Sequence, residues 1–193
     1  DILLMAARID VYSMVPDGRA EVRKRQFQGV SRGITDVKLF DSYIIDAKLS
    51  PKQLENAAAS LINPVFEKFQ VNSHKLPFKF NYAIEIGFLP GVTDNVGHTA
   101  KEVIGKDVYT SRVFFILGLH AGRHGKLDED DVKKIADILY NPLIEKATIY
   151  SRAEFLKSRA GKPVAPKVNM TSEPVAQINL NVSDEELLNI SKK

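Results

Sequence analysis

LDEDDVKKIADILYNPLIEKATIY, residues 127–150, decides how this chain is read, because LSPKQLENAAASLINPVFEKFQV, residues 49–71, says nearly the same thing 78 positions earlier. Leu54, Ala57, Ala58 and Leu61 fall on Val132, Ile135, Ala136 and Leu139, and Asn63-Pro64 falls on Asn141-Pro142. Self-similarity at a fixed offset marks a duplicated folding unit. The four apolar positions follow i, i+3, i+4, i+7, one face of an α-helix. Ser50, with Pro51 at the first helical position and Gln53 three residues on, reads as a capping box. Asp128 caps the second copy, followed by acidic residues that suit the positive end of the helix dipole. Asn-Pro then stops the helix, since the residue before proline is driven out of the α region and Asn tolerates the left-handed conformation. Phe69 and Val71, or Ala147 and Ile149, alternate with polar neighbours. The unit reads as helix, sharp stop, strand.

Outward from that unit, Ile9, Val11, Ser13 and Val15 alternate as a strand, and Pro16-Asp17-Gly18 turns the chain. A basic helix from about Arg19 uses Phe27, Val30 and Ile34 as its inner face. Residues 37–40 and 43–47 read as two strands joined by a hairpin at Asp41-Ser42. The first copy is then βαββαβ, a ferredoxin-like order. Residues 72–80 connect the copies. The second opens with a strand at 82–89, turns at Pro90-Gly91, and enters a helix capped near Asp94 with Val96, Ala100, Val103 and Ile104 inside. Residues 113–119 form an apolar strand whose Phe114 and Phe115 are buried on opposite sides. The segment from His120 to Lys126 gives the second copy four residues that the first lacks, and Arg123 and His124 sit in it. Boundaries follow: 7–72 and 81–151 for the copies, 152–182 for a proline-punctuated linker with a short strand at 177–182, and 183–193 for the start of a further domain. The last helix ends on Leu187, Leu188 and Ile190 with nothing to pack on, and the first residue is Asp1, so the natural polypeptide is expected to extend further.

Composition excludes little but usefully. The chain of 193 residues is 44% apolar and 26% charged, with net charge +3, which gives no argument for nucleic acid. It contains no cysteine, hence no disulfide, thiolate metal site or cysteine nucleophile. No apolar run approaches the roughly 20 residues that span a bilayer. A cytoplasmic setting is expected. No phosphate loop, Gly-x-Ser-x-Gly or His-Glu-x-x-His occurs. His120 and His124 stand four apart, but Gly122 and Gly125 make that stretch a loop, so a partner contact is expected there and not a metal site. Asp128 to Asp131 read as helix-start chemistry. Arg19, Arg23, Lys24 and Arg25 read as a solvated face. Phe114 and Phe115 lack the basic-Gly-aromatic signature of a base-stacking sheet and are assigned to the core.

Glu85-Ile-Gly-Phe-Leu-Pro-Gly-Val-Thr-Asp-Asn-Val-Gly97 resembles the opening strand and turn of the small structural subunit (PurS type) of phosphoribosylformylglycinamidine synthase. Asn141-Pro142-Leu143-Ile144-Glu145 is similar to that subunit's closing motif, and Asn63-Pro64-Val65-Phe66-Glu67 repeats it. The first copy departs at its turn, where Val15-Pro16-Asp17-Gly18-Arg19 replaces Pro-Gly-Val-x-Asp. The stretch 182–193 is similar to the opening of the large synthetase subunit. The resemblance implies the N-terminal part of a fused, ATP- and glutamine-dependent enzyme of purine biosynthesis, in which a glutaminase frees ammonia and a synthetase activates formylglycinamide ribonucleotide. It implies two tandem PurS-like units forming a pseudo-dimer that bridges synthetase and glutaminase without itself catalysing, and helps shape the ammonia path. ATP and magnesium belong to the whole enzyme; no catalytic, cofactor or metal residue is expected in this segment. Arg112, Arg123 and His124 are the candidate partner contacts. The rival reading is a tandem ferredoxin-like regulatory module that binds a small metabolite between its units.

Overall fold

The structure, a computed structural model, describes residues 6–73, 76–118 and 127–158, with Ser183 and Glu185. In chain order the elements are β1 Ala6–Ser13, α1 Gly18–Val30, β2 Ile34–Asp46, α2 Pro51–Leu61 and β3 Glu67–Val71, then β4 Tyr82–Phe88, α3 Asn95–Ile104, β5 Val108–Gly118, α4 Glu129–Leu139, β6 Glu145–Ser151 and α5 Arg152–Ser158. This is an α+β fold built on one antiparallel six-stranded sheet, in the order β3-β1-β2-β5-β4-β6. The order is palindromic: each half of the chain supplies three strands, and the two halves meet edge to edge where β2 pairs with β5 from Ile34↔Gly118 to Ile45↔Val108.

The expected hairpin at Asp41-Ser42 is absent; β2 runs unbroken through it, so the first half has three strands and not the four of a βαββαβ unit. Asp41 lies opposite Val11 on one side and Arg112 on the other, and Ser42 opposite Asp10 and Ser111. Pairing on both flanks overrides the local turn preference of Asp-Ser.

Local chemistry sets the helix starts. Ser50 and Gln53 form the reciprocal capping box, and Asp17, Asp94 and Asp128 cap α1, α3 and α4. The Asn-Pro stop works differently from expectation. The residues closing α2 and α4, Ile62 and Tyr140, are extended, and among described residues other than glycine only Asn72 has a positive φ. Instead, Asn63 organises a turn: its Oδ1 accepts from the Val65 N–H at 3.1 Å, its carbonyl from the Glu67 N–H at 2.8 Å, and its own N–H donates to Glu67 Oε2 at 2.7 Å. Asn141 repeats this with Leu143 at 3.1 Å, the Glu145 N–H at 2.8 Å and Glu145 Oε2 at 3.0 Å. The repeated Asn-Pro-x-x-Glu is thus a single hydrogen-bonded device made twice.

Strand register and packing put α1 to α4 on one face of the sheet. One cluster joins Phe27 of α1 and Val132, Ile135, Ala136 and Leu139 of α4 to Leu39, Ile84 and Phe114; a second joins Ala57 and Ala58 of α2 and Ala100 of α3 to Ile9, Val11 and Ile45. Each helix pair therefore takes one member from each half. Val96 and Val103, expected inside α3, are exposed. The buried face is Gly97, Ala100 and, in part, Ile104, because Gly97 lies so near β5 that a Cβ there would come within 2.5 Å of the Val108 carbonyl. Ile34, expected on α1, begins β2 instead, after Ser31 ends the helix.

The opposite face carries an aromatic cluster. Phe115, fully buried, meets Phe40, Phe78, Phe80 and Phe155 at centroid distances of 5.0–5.3 Å, all edge-on. Phe78 and Phe80 come from the connector between the halves. Phe155 comes from α5, a helix where the linker was expected to begin. Phe114 and Phe115 are both buried, on opposite faces. No helix among the described residues is long and apolar enough to cross a membrane.

Candidate functional site

At the middle of the helix-covered face, where the two halves join, the sheet leaves a cleft of about 380 Å³. Its floor is polar: Asp41 and Tyr43 of β2, Thr110 and Arg112 of β5. Ile86 and Phe88 of β4 supply an apolar side, and the first turns of α1 and α3 contribute Arg19 and Val96. Strand alternation explains the floor, since Asp41, Tyr43, Thr110 and Arg112 share one side of paired β2 and β5.

The charges in the cleft are held by partners. Arg19 reaches Asp17 Oδ2 at 2.9 Å and Asp41 Oδ2 at 2.8 Å. Burial opposes its charge, but bonds to both carboxylates outweigh that and raise its pKa further. Burial likewise works against ionised Asp17, and Arg19 reverses the balance, holding that carboxyl below its usual range. Burial, then Asp41 and Glu67, push the Tyr43 phenol up, so it stays a neutral donor. Arg112 Nη2 donates to Glu145 Oε1 at 2.8 Å, the carboxylate whose Oε2 caps Asn141. The second-half stop motif is thereby wired to the cleft. Of the three candidate partner contacts, Arg112 sits in this cleft, 40% exposed at its side chain, whereas Arg123 and His124 lie outside the described residues.

A second polar group has no counterpart among the sequence expectations. On the opposite face, Gln70, Asp10, Ser42 and Ser111 form one row across β3, β1, β2 and β5. Arg8 donates from Nε to Asp10 Oδ1 at 2.8 Å and from Nη2 to Ser42 Oγ at 2.6 Å, and its Nη2 lies 2.7 Å from Glu85 Oε1. The Ser111 hydroxyl donates to Glu85 at 2.7 Å. Burial alone would lower the Arg8 pKa; Asp10 and Glu85 more than offset it and the net shift is upward. The available signal is positional: Arg8 and Asp10 are two apart on one strand and must share its face. No group of three or more metal-ligating side chains occurs among the described residues.

This geometry supports binding and cross-linking of the halves. Comparison with protein-family models and with curated proteins finds no match for the chain.

Proposed function

We propose that this chain is the scaffold part of a phosphoribosylformylglycinamidine synthase: two PurS-like units forming a pseudo-dimer within one polypeptide, bridging a synthetase domain and a glutaminase in the cytoplasm while ATP and magnesium chemistry proceeds elsewhere in the enzyme. The observation that carries this reading is the same hydrogen-bonded Asn-Pro-x-x-Glu turn in both halves. It is one of the motifs that carry the resemblance, and it lies at the start of both outer strands of a palindromic sheet. Edge-to-edge joining through β2 and β5 removes two free strand edges, the gain that dimerisation would bring to a single unit. The test is turnover by the pure chain. With ATP or glutamine at millimolar concentration, no hydrolysis above buffer is expected, and measurable hydrolysis of either rejects the non-catalytic assignment.

The central cleft favours one further reading, a regulatory module taking a small metabolite between its halves. Calorimetry with purine intermediates and amino acids decides it: binding that Arg112→Ala abolishes supports it, and silence across the panel removes it.

A further inference from the structure

Asp41 of β2 and Arg112 of β5 stand opposite each other across the seam between the halves, on the helix-covered side of the sheet. Opposite charges so placed, with Cβ atoms about 5 Å apart, ordinarily pair. These two do not. Arg19 takes both oxygens of Asp41, at 3.2 and 2.8 Å, and Glu145 takes Arg112, at 2.8 Å. The cleft of about 380 Å³ lies where the two part, with a carboxylate on one side and a guanidinium on the other.

Both groups keep hydrogen-bonding capacity. Arg112 spends Nη2 on Glu145, and among the described residues its Nε and Nη1 donate to no protein group. Each Asp41 oxygen accepts one bond from Arg19, which leaves each a second lone pair. The Tyr43 hydroxyl, next along the same side of β2, also has no partner among the described residues, and burial beside Asp41 and Glu67 keeps it protonated.

The ionised groups lining the cleft balance, Arg19 and Arg112 against Asp41 and Glu145. A phosphate would bring its charge against two carboxylates whose guanidiniums are already paired, and a lone cation would meet two guanidiniums. A ligand that carries both charges escapes both penalties. Beside the charges lies apolar surface: Phe88, partly buried, and Val96, 56% exposed on the first turn of α3. An apolar group seated there removes that surface from water.

We propose that the cleft binds a small zwitterion with an apolar side chain, the chemistry of a free aliphatic or aromatic α-amino acid. Its carboxylate takes the unused N–H edge of Arg112, whose planar fork suits two oxygens at once, together with the Tyr43 hydroxyl. Its ammonium takes Asp41, and its side chain lies on Phe88 and Val96. Asp41 and Tyr43 come from the first half and Arg112, Phe88 and Val96 from the second, so neither half carries the site alone. The inference rests on the second reading above, a metabolite held between the halves, and names its class.

The test is titration of the whole chain by calorimetry and amide NMR. The probes are L-leucine, L-methionine and L-phenylalanine, beside N-acetyl-L-leucine, L-leucinamide, glycine, inorganic phosphate and adenosine monophosphate. One of the three apolar amino acids should bind, shift the Tyr43 and Arg112 amides, and bind at least tenfold more tightly than glycine. Asp41→Asn and Arg112→Gln should each weaken it at least tenfold. For leucine, blocking the amine or the carboxylate should cost at least tenfold, a comparison made on the unaltered chain and independent of how the variants fold. Equal binding of the blocked forms, or shifts confined to other strands, overturns the inference. Cleft shifts with phosphate or the nucleotide but with no amino acid overturn it and leave the metabolite reading standing, whereas silence from every probe removes both.

Discussion

Arg8 of β1 and Glu85 of β4 form an ion pair 2.7 Å long across the face of the sheet, although β2 and β5 lie between their strands. One side chain thus ties the first half to the second across the β2–β5 seam; Asp10 and Ser42 accept its other hydrogen bonds, and Ser111 donates to Glu85. Arg8→Met leaves two carboxylates in a largely buried site. Loss of one partner of such a pair costs about 3–5 kcal/mol, and the chemical-denaturation midpoint should fall accordingly. The triple variant Arg8→Met, Asp10→Leu, Glu85→Met should recover most of that stability.

Phe115→Ala removes the ring at the centre of the aromatic cluster. A fully buried Phe truncated in a packed core costs about 3–5 kcal/mol. Because Phe80 and Phe155 rest on that ring, the variant should also increase hydrogen exchange in α5. Thermal unfolding and exchange mass spectrometry check both parts; an unchanged melting temperature contradicts the burial assignment.

Two glycines give opposite predictions for one substitution. Gly97→Ala drives a Cβ to 2.5 Å from the Val108 carbonyl, so α3 must move off the sheet, a strain of about 1–3 kcal/mol. Gly29→Ala, inside α1 with nothing within 4 Å of the added carbon, should stabilise by about 0.5–1 kcal/mol through helix propensity. Denaturation midpoints of the two variants should lie on opposite sides of the wild type.

The acid limb of stability should carry the signature of Asp17 and Asp36. Burial disfavours both ionised carboxylates, but Arg19 holds Asp17, and Lys38 with the Val37 amide holds Asp36, below the ordinary range. A depressed carboxylate stabilises the fold fully above its unfolded value of about 4, and that contribution is lost as pH falls through the lower folded value. Urea midpoints measured from pH 6 to pH 2 should drop in that window, and Asp17→Asn with Asp36→Asn should flatten the drop.

What can be read from the sequence is what local chemistry fixes. The Ser50 and Asp128 caps and the α4 face of Val132, Ile135, Ala136 and Leu139 follow from residue spacing alone and appear as expected, and the two Asn-Pro stops fall where the repeat puts them, but as Asn–Glu hydrogen-bonded turns and not through a left-handed Asn. Sequence and structure part where distant partners decide. Asp41-Ser42 looks like a turn until strands lie on both sides of it. Val96 and Val103 fit a helical period, but that count scores Gly97 as blank, whereas the absent side chain is what brings α3 onto β5. The Arg8 cluster is hidden in the sequence because charged residues in an alternating strand ordinarily face solvent. Arg112 of the cleft is a candidate from the sequence, but its tie to Glu145 spans 33 residues and needs the fold. Phe155 carries no signal, being one aromatic in a seven-residue helix.

Sedimentation and assay of a reconstituted mixture test the scaffold reading most directly. With the synthetase and glutaminase of the same source supplied as separate proteins, the pure chain should bring both into one complex and switch on glutamine-dependent formation of formylglycinamidine ribonucleotide. If the two enzymes assemble and turn over equally well without the chain, or if it sediments apart from both, the scaffold account is contradicted.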